Sequence, residues 1–261
     1  PTREPCNEGC DLQCWTGFSN SDFLVQPARQ RLDYGDSQFY YMFWCMPNNS
    51  DNGDVVFSRD GIAGGNNGRF HCYFNDDRIR VDMTEYGGSS YQGMQSNQHR
   101  VRQKKEWMHF CFVRTGGDGG GQLQMYINGQ HDSSHNLGSN ANGTQSGNEL
   151  SGIGVLMIGA NPNSGNPLDK GKVTMFRTGK REIPSDEIAQ IYADELPMFS
   201  PHTKCSLYGS SDEIKGIAHD QNTGILHAGT TSGRSEFDGF VRINNTTDEI
   251  TQAISAAGGV V

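Results

Sequence analysis

The sequence predicts an all-β protein, and three observations carry that expectation. Short runs of aromatic and β-branched residues recur along the chain, each bounded by Gly, Asn, Ser or Asp clusters, the pattern of strands joined by tight turns. Within several runs apolar and polar residues alternate with period two, as at Phe70, Cys72 and Phe74 or at Leu123, Met125 and Ile127, which gives each strand one buried face. The chain has 34 glycines among 261 residues and only 34% hydrophobic residues. That is close to twice the ordinary glycine share of about 7%, and it suits neither a helical bundle nor a large α/β enzyme. Aromatic residues at 10% argue against simple disorder.

The elements follow in order. Residues 1–36 read as a polar, irregular arm anchored by Trp15, Phe18 and Phe23. Residues 37–46 (SQFYYMFWCM) are the densest aromatic run and read as a buried central strand closed by Pro47, Asn48 and Asn49. Residues 54–59 are strand-like, and 60–68 form a glycine-rich loop. RFHCYFN at 69–75 and RIRVDM at 78–83 read as a hairpin turning at Asp76 and Asp77. Residues 85–98 read as a long polar loop. WMHFCFVR at 107–114 and QLQMYIN at 122–128 are partner strands around a glycine turn, and Asn128-Gly129 is a type I′ hairpin signal. Residues 131–152 read as a rim loop, and 155–159 and 172–177 as short strands. One helix is expected at 187–195, with Ser185 as N-cap and Ile188, Ile191 and Tyr192 as its apolar stripe. The alternation stops near 196, and Pro197 and Pro201 read as a linker. Beyond it, 200–261 reads as a small β-rich module with strands at 214–219 and 225–228 and a short terminal helix at 248–257.

A formal net charge of -9 disfavours a nucleic-acid partner, which calls for a basic patch; the run Arg100, Arg102, Lys104 and Lys105 reads as a solvated loop. No stretch approaches the ~20 apolar residues of a membrane span. The chain opens at Pro1 and closes on an apolar stretch at 254–261, which reads as a processed chain or a segment of a longer one. Seven cysteines leave at least one unpaired within a chain. Cys45, Cys72 and Cys111 lie inside apolar runs and read as buried reduced thiols, fitting assembly in a cytosol.

Three pieces carry a family resemblance: SRDG…NNGRFHCYFN at 58–75, WMHFCFVR…GQLQMYING at 107–129, and LMIGA…GKVTMFRTGKREIPSDEIAQIYA at 156–193. In that order they resemble the laminin G/concanavalin A-like jelly-roll superfamily over residues 37–199. The resemblance implies a two-sheet antiparallel jelly-roll sandwich, with Phe110, Phe112, Val173 and Met175 among the facing core residues. It also implies sugar or protein binding through loops at one rim, in some members with a calcium ion. The segment LYGSSDEIKGIAHDQNTGILHAGTTSGRS resembles those that follow such domains in tailed-phage virion proteins.

Glucanases of this fold set two carboxylates on one strand facing a groove; the strands at 107–114 and 122–128 carry no acid. Gly116–Gly121 lacks the Lys-Ser/Thr of a phosphate loop, and His131 and His135 fall outside any helix. His71 and His109 are expected to face solvent or a neighbouring chain. Candidate ligand residues therefore lie on the loops: Tyr86 and Tyr91 for stacking on sugar rings, and Asn66, Asn67, Asn161 and Asn163 for hydroxyls. Calcium, where bound, would take Asp51, Asp54, Asp60 and Asp169 with those amides; the alternative is ordinary turn chemistry. The expectation is a non-enzymatic structural or recognition protein of a virion, in a phage tail fibre or on a capsid surface. Its partners would be other virion proteins, copies of itself (a trimer by analogy with fibres) and a host surface glycan. The alternative is a carbohydrate-binding or glycoside-cleaving domain.

Overall fold

The computed structural model describes residues 1–27, 29–32, 34–35, 37–61, 69–84, 91–116, 121–137, 154–161, 165–204, 206–209 and 213–247. Its strands are β1 (Thr2–Pro5), β2 (Gln13–Thr16), β3 (Leu24–Gln26), β4 (Phe39–Met46), β5 (Val55–Gly61) and β6 (Arg69–Asn75). They continue with β7 (Arg78–Thr84), β8 (Tyr91–Gln95), β9 (Met108–Thr115), β10 (Gln122–Ile127), β11 (Gln130–Asn136), β12 (Gly154–Ile158) and β13 (Lys172–Gly179). The helix α1 (Ser185–Glu195) follows, then β14 (Ile214–His219), β15 (Ile225–Thr230), β16 (Gly233–Asp238) and β17 (Val241–Thr246).

Among the described residues these strands make three sheets: seven strands in the order β1-β2-β13-β4-β9-β10-β11, six in the order β3-β12-β5-β6-β7-β8, and four in the order β14-β15-β16-β17. All the named strand pairings are antiparallel. The first two sheets form the expected sandwich, and the aromatic run of β4 explains why they stay together. Tyr41 stacks on Phe70 at 4.9 Å between ring centroids, and Phe43 meets Phe57 edge-on at 5.6 Å. Phe112 reaches Phe57 and Phe70 at 6.5 and 6.3 Å. All five rings are buried, so the period-two face of one sheet closes on that of the other, and burial of several such side chains at ~2 kcal/mol each dominates the stability of the unit.

The outer face of the seven-stranded sheet is covered by α1, whose Ile188 packs with Met42, Cys111, Val113 and Tyr126. The first bond of the helix runs from Ile188 N–H to the Pro184 carbonyl at 3.1 Å. Ser185 is therefore the first helical residue and not the cap, because Pro184 is pre-set for a helix start and supplies the flanking carbonyl.

Several expectations change. The N-terminal arm is not irregular: β2 and β3 pair with β13 and β12, far along the chain, and β1 adds outside β2 at the sheet edge; three or four residues are too few to show alternation. Within 85–98 the structure has β8, and within 131–152 it has β11; both are polar because they sit at sheet edges with one face to water. The last sheet has four strands, not two. Met175 leaves the core: a bulge between Thr174 and Arg177, with Met175 at φ 51°, turns Phe176 inward onto Phe43 at 5.7 Å. His71 and His109 are buried; His109 lies under Trp44 and Tyr192, 5.2 and 6.0 Å away. Cys45, Cys72 and Cys111 are buried free thiols, and burial pushes all three up from the ordinary thiol pKa. The proposed terminal helix at 248–257 and residues 117–120 of the glycine turn lie outside the described residues. By internal contacts the chain forms two compact units: Pro1–Glu4 with Cys14–Asp194, and Pro5–Gln13 with the chain from Glu195 onward. Among the described residues no helix is long and apolar enough to cross a membrane.

Candidate functional site on the six-stranded sheet

The hairpin β6–β7 builds the site. Asp76, at φ 52°, and Asp77 make a two-residue turn, so Asn75 pairs with Arg78, Tyr73 with Arg80 and His71 with Asp82. Phe70, Cys72 and Phe74 point inward, so His71, Tyr73, Arg80 and Asp82 share the outer face. There the polar side chains fix one another. The Tyr73 hydroxyl donates to Asp82 Oδ2 at 2.7 Å, and Arg80 Nε donates to Asp82 Oδ1 at 2.9 Å. The His71 ring stacks on Tyr73 at 4.8 Å and 27°. Across β8, Gly93 pairs with Asp82 and Gln95 with Arg80. A Cβ on Gly93 would collide with Asp82 Oδ1 and lie 3.1 Å from Arg80, so the missing side chain leaves room for the carboxylate. Beyond Gln95, Arg78 donates to the Ser96 carbonyl at 3.1 Å and to His99 Nε2 at 2.6 Å.

The product is a half-exposed platform with an aromatic ring, a carboxylate and a guanidinium held in fixed positions. Tyr73 supplies a flat apolar surface; Asp82 accepts and Arg80 donates, the pairing that adjacent sugar hydroxyls need. In the same row, register places Ser58 beside His71 and His71 beside Asp82. This is not a nucleophilic triad in the observed state: the Ser58 hydroxyl is buried and makes no hydrogen bond, whereas an activated serine needs a base at about 3 Å. Among the outer-face residues of β5–β8 whose side chains are described, Asp82 is the one carboxylate.

The residues singled out from sequence fall elsewhere. Tyr91 opens β8, opposite Thr84, and is a strand residue. Tyr86, Asn66, Asn67 and Asn163 lie outside the described residues. Asn161 is buried, at 1% exposure, and its carbonyl accepts from Gly165 N–H at 3.2 Å. Asp51, Asp54 and Asp169 do gather at one rim, where Val55 N–H donates to the Asn166 carbonyl at 3.0 Å. Asp54 is buried and accepts from Asp51 N–H at 2.7 Å. Burial, reinforced by Asp169 and Asp51, pushes its carboxyl up to about 6. Both oxygens of Asp51 take Lys170 Nζ at 2.7 Å, so an ammonium already fills the position a cation would occupy. Asp60 is five residues up β5 from Val55, about 16 Å away. Among the described residues no cluster of acidic, His or Cys side chains fits a metal ion.

A family model described as the concanavalin A-like lectin/glucanases superfamily matches residues 19–189, well over half of the chain. The chain belongs to this superfamily. No curated protein matches it. Among solved structures, the superfamily sandwich of this chain is similar to the receptor binding domain of botulinum neurotoxin C/D mosaic serotype. That pair has a TM-score of 0.56 at 11% identity and covers 93% of this chain and 55% of the other. The botulinum neurotoxin serotype G binding domain gives 0.53 at 12% identity, over 91% and 56%. A heptameric SAP-like pentraxin from Limulus polyphemus gives 0.49 at 17% identity, over 69% and 81%. At these identities the two neurotoxin likenesses show the fold alone, and this chain spans little more than half of those domains.

The site itself was within reach of the sequence. The Asp76-Asp77 turn sets the register, and period two then pairs Tyr73 with Arg80 and His71 with Asp82. What sequence reasoning lacked was a reason to prefer a strand face over the loops.

Proposed function

We propose that this chain is a non-enzymatic recognition and structural protein of a virion, in a phage tail fibre or on a capsid surface, and that it holds a host surface glycan on the outer face of β6–β8. The observation that carries the reading is the Tyr73–Asp82–Arg80 cluster, whose members are ordered before any ligand arrives. Preorganisation of this kind removes part of the entropy cost of binding. Both Asp82 oxygens already hold donors, which supports a positioning role over proton transfer. The virion setting is supported by the phage-like character of the segment from Leu207 onward and by the acidic net charge of -9, which suits a protein exposed in quantity to solvent.

The test is a glycan array run with the full chain, together with a reducing-sugar assay on every glycan retained. The expected result is saturable binding of one glycan group without product. Robust hydrolysis, abolished by replacing a single Asp or Glu, would overturn the non-enzymatic reading in favour of a glycoside-cleaving domain. Antibody labelling of particles from the native source tests the setting; label confined to host cytosol contradicts it.

A further inference from the structure

A second arrangement of polar side chains lies on the opposite side of the sandwich, on the outer face of β10 and β11 beside α1. Here Gln122 pairs with Asn136, Gln124 with Ser134 and Tyr126 with His131. The side chains form one directed chain. The Tyr126 hydroxyl donates to Gln124 Oε1 at 2.9 Å, Gln124 Nε2 donates to Gln122 Oε1 at 3.1 Å, and Gln122 Nε2 donates to Asn136 Oδ1 at 2.9 Å. The chain fixes which end of each amide faces which way. Gln122 and Gln124 each keep one N–H and one lone pair unspent, and Asn136 keeps both N–H groups and one lone pair, so the row offers donors and acceptors together, the complement of hydroxyls that both donate and accept. At its end the exposed His131 ring stands edge-on to buried Tyr126, with centroids 5.4 Å apart and planes at 83°.

Sheet stability alone does not call for this order. Fixing a glutamine side chain costs up to about 1.5–2 kcal/mol of rotamer entropy, while a hydrogen bond between half-buried side chains such as these returns only about 0.5–1.5 kcal/mol. A strand end built for stability would carry β-branched residues. None of Gln122, Gln124, His131 and Asn136 carries a carboxylate or a guanidinium, unlike the Arg80–Asp82 platform, and the carboxylate of Asp132 on β11 is taken by the Asn97 and Gln98 N–H groups.

We infer that Gln122, Gln124, His131 and Asn136 form a second saccharide site, specific for uncharged oligosaccharides, with the His131 ring as stacking surface and the amide row as hydroxyl reader. This rests on the recognition reading above but uses none of its residues. The two sites would let one chain grip two glycans, or two stretches of one polymer, with the gain in avidity that linked sites provide.

The experiment titrates the full chain with cello-, malto- and chito-hexaose, and in parallel with the glycans an array retains. Three variants are compared: Gln124→Leu, which cuts the row at its centre without changing its volume greatly, His131→Ala, and Tyr73→Ala on the other sheet. The expected result is that at least one neutral hexaose binds, that Gln124→Leu and His131→Ala each weaken it tenfold or more, and that Tyr73→Ala leaves it unchanged. Unfolding midpoints of all three are measured, and Gln124→Asn, which keeps the amide but shortens its reach, serves as a second probe should Gln124→Leu unfold. Neutral binding that survives at wild-type strength in Gln124→Leu and Gln124→Asn, or that only Tyr73→Ala removes, overturns the second site and leaves the recognition reading standing. The same holds if only acidic glycans bind. If no glycan of any kind binds the wild-type chain, both readings fall.

Discussion

Asp54 is the residue where burial and charge oppose each other most directly. The residue is 5% exposed, and desolvation lifts its pKa to about 6 from an unfolded value near 3.8. The folded state therefore holds this proton more tightly than the unfolded state. The stability that follows is complete below about pH 4 and is lost as pH rises through 6. Asp54→Asn keeps an acceptor for Asp51 N–H and removes the titration. In urea unfolding at pH 7.5 the variant should be more stable than wild type by roughly 3 kcal/mol, following ~1.4 kcal/mol for each pKa unit. At pH 4 the two should agree; a constant difference at both values would show that Asp54 is not the titrating group. The sequence made Asp51, Asp54 and Asp169 candidates together. It did not reveal that Lys170 takes Asp51, an ion pair closed over 119 positions of chain, because nothing local to either residue records it. His71 shows the opposite case: its place on the outer face of β6 was legible from period two, but its burial was not, since that depends on what lies across the sheet.

At the scale of elements, the hairpins were the most readable parts, since two residues fix both turn and register. Asn128 and Gly129 adopt φ 52° and 75°, the left-handed pair a type I′ turn requires. A Cβ on Gly129 would also lie 3.0 Å from the Tyr192 Cβ and Cδ1, so the turn sits close against α1. Gly129→Ala should cost about 1–2 kcal/mol through backbone strain and this contact, seen as a lower urea midpoint at unchanged slope. A neutral substitution would mean that the turn is free to relax away from the helix. Edge elements were least readable. β2 and β3 are held by backbone bonds to strands more than a hundred residues away, β2 meeting β13 at Trp15 and Val173 and β3 meeting β12, while β1 lies outside β2 at the sheet edge; strand length and composition say little there. The bulge in β13 that exchanges Met175 for Phe176 is a one-residue slip of phase, which strict alternation misassigns by construction.

For the whole molecule, the jelly-roll class was legible because three motifs fell in the right order, while the Tyr73–Asp82–Arg80 cluster became visible only once a sheet face existed. The four-stranded sheet bears on assembly. All six residues of its edge strand β14 are exposed, including Ile214 and Ile217, and an open edge of this kind is a template for pairing. We expect self-association, with light scattering at high concentration giving about three times the 28.7 kDa chain mass; a clean monomer at every concentration contradicts it. Recognition by the outer face of β6–β8 is tested by calorimetric titration of the retained glycan into wild type, Tyr73→Ala and Asp82→Asn, each shown to be folded by circular dichroism. Loss of the Tyr73 ring or of the Asp82 charge should weaken binding about tenfold, equivalent to ~1.4 kcal/mol. Wild-type affinity in both variants would contradict the assignment of the site to this face.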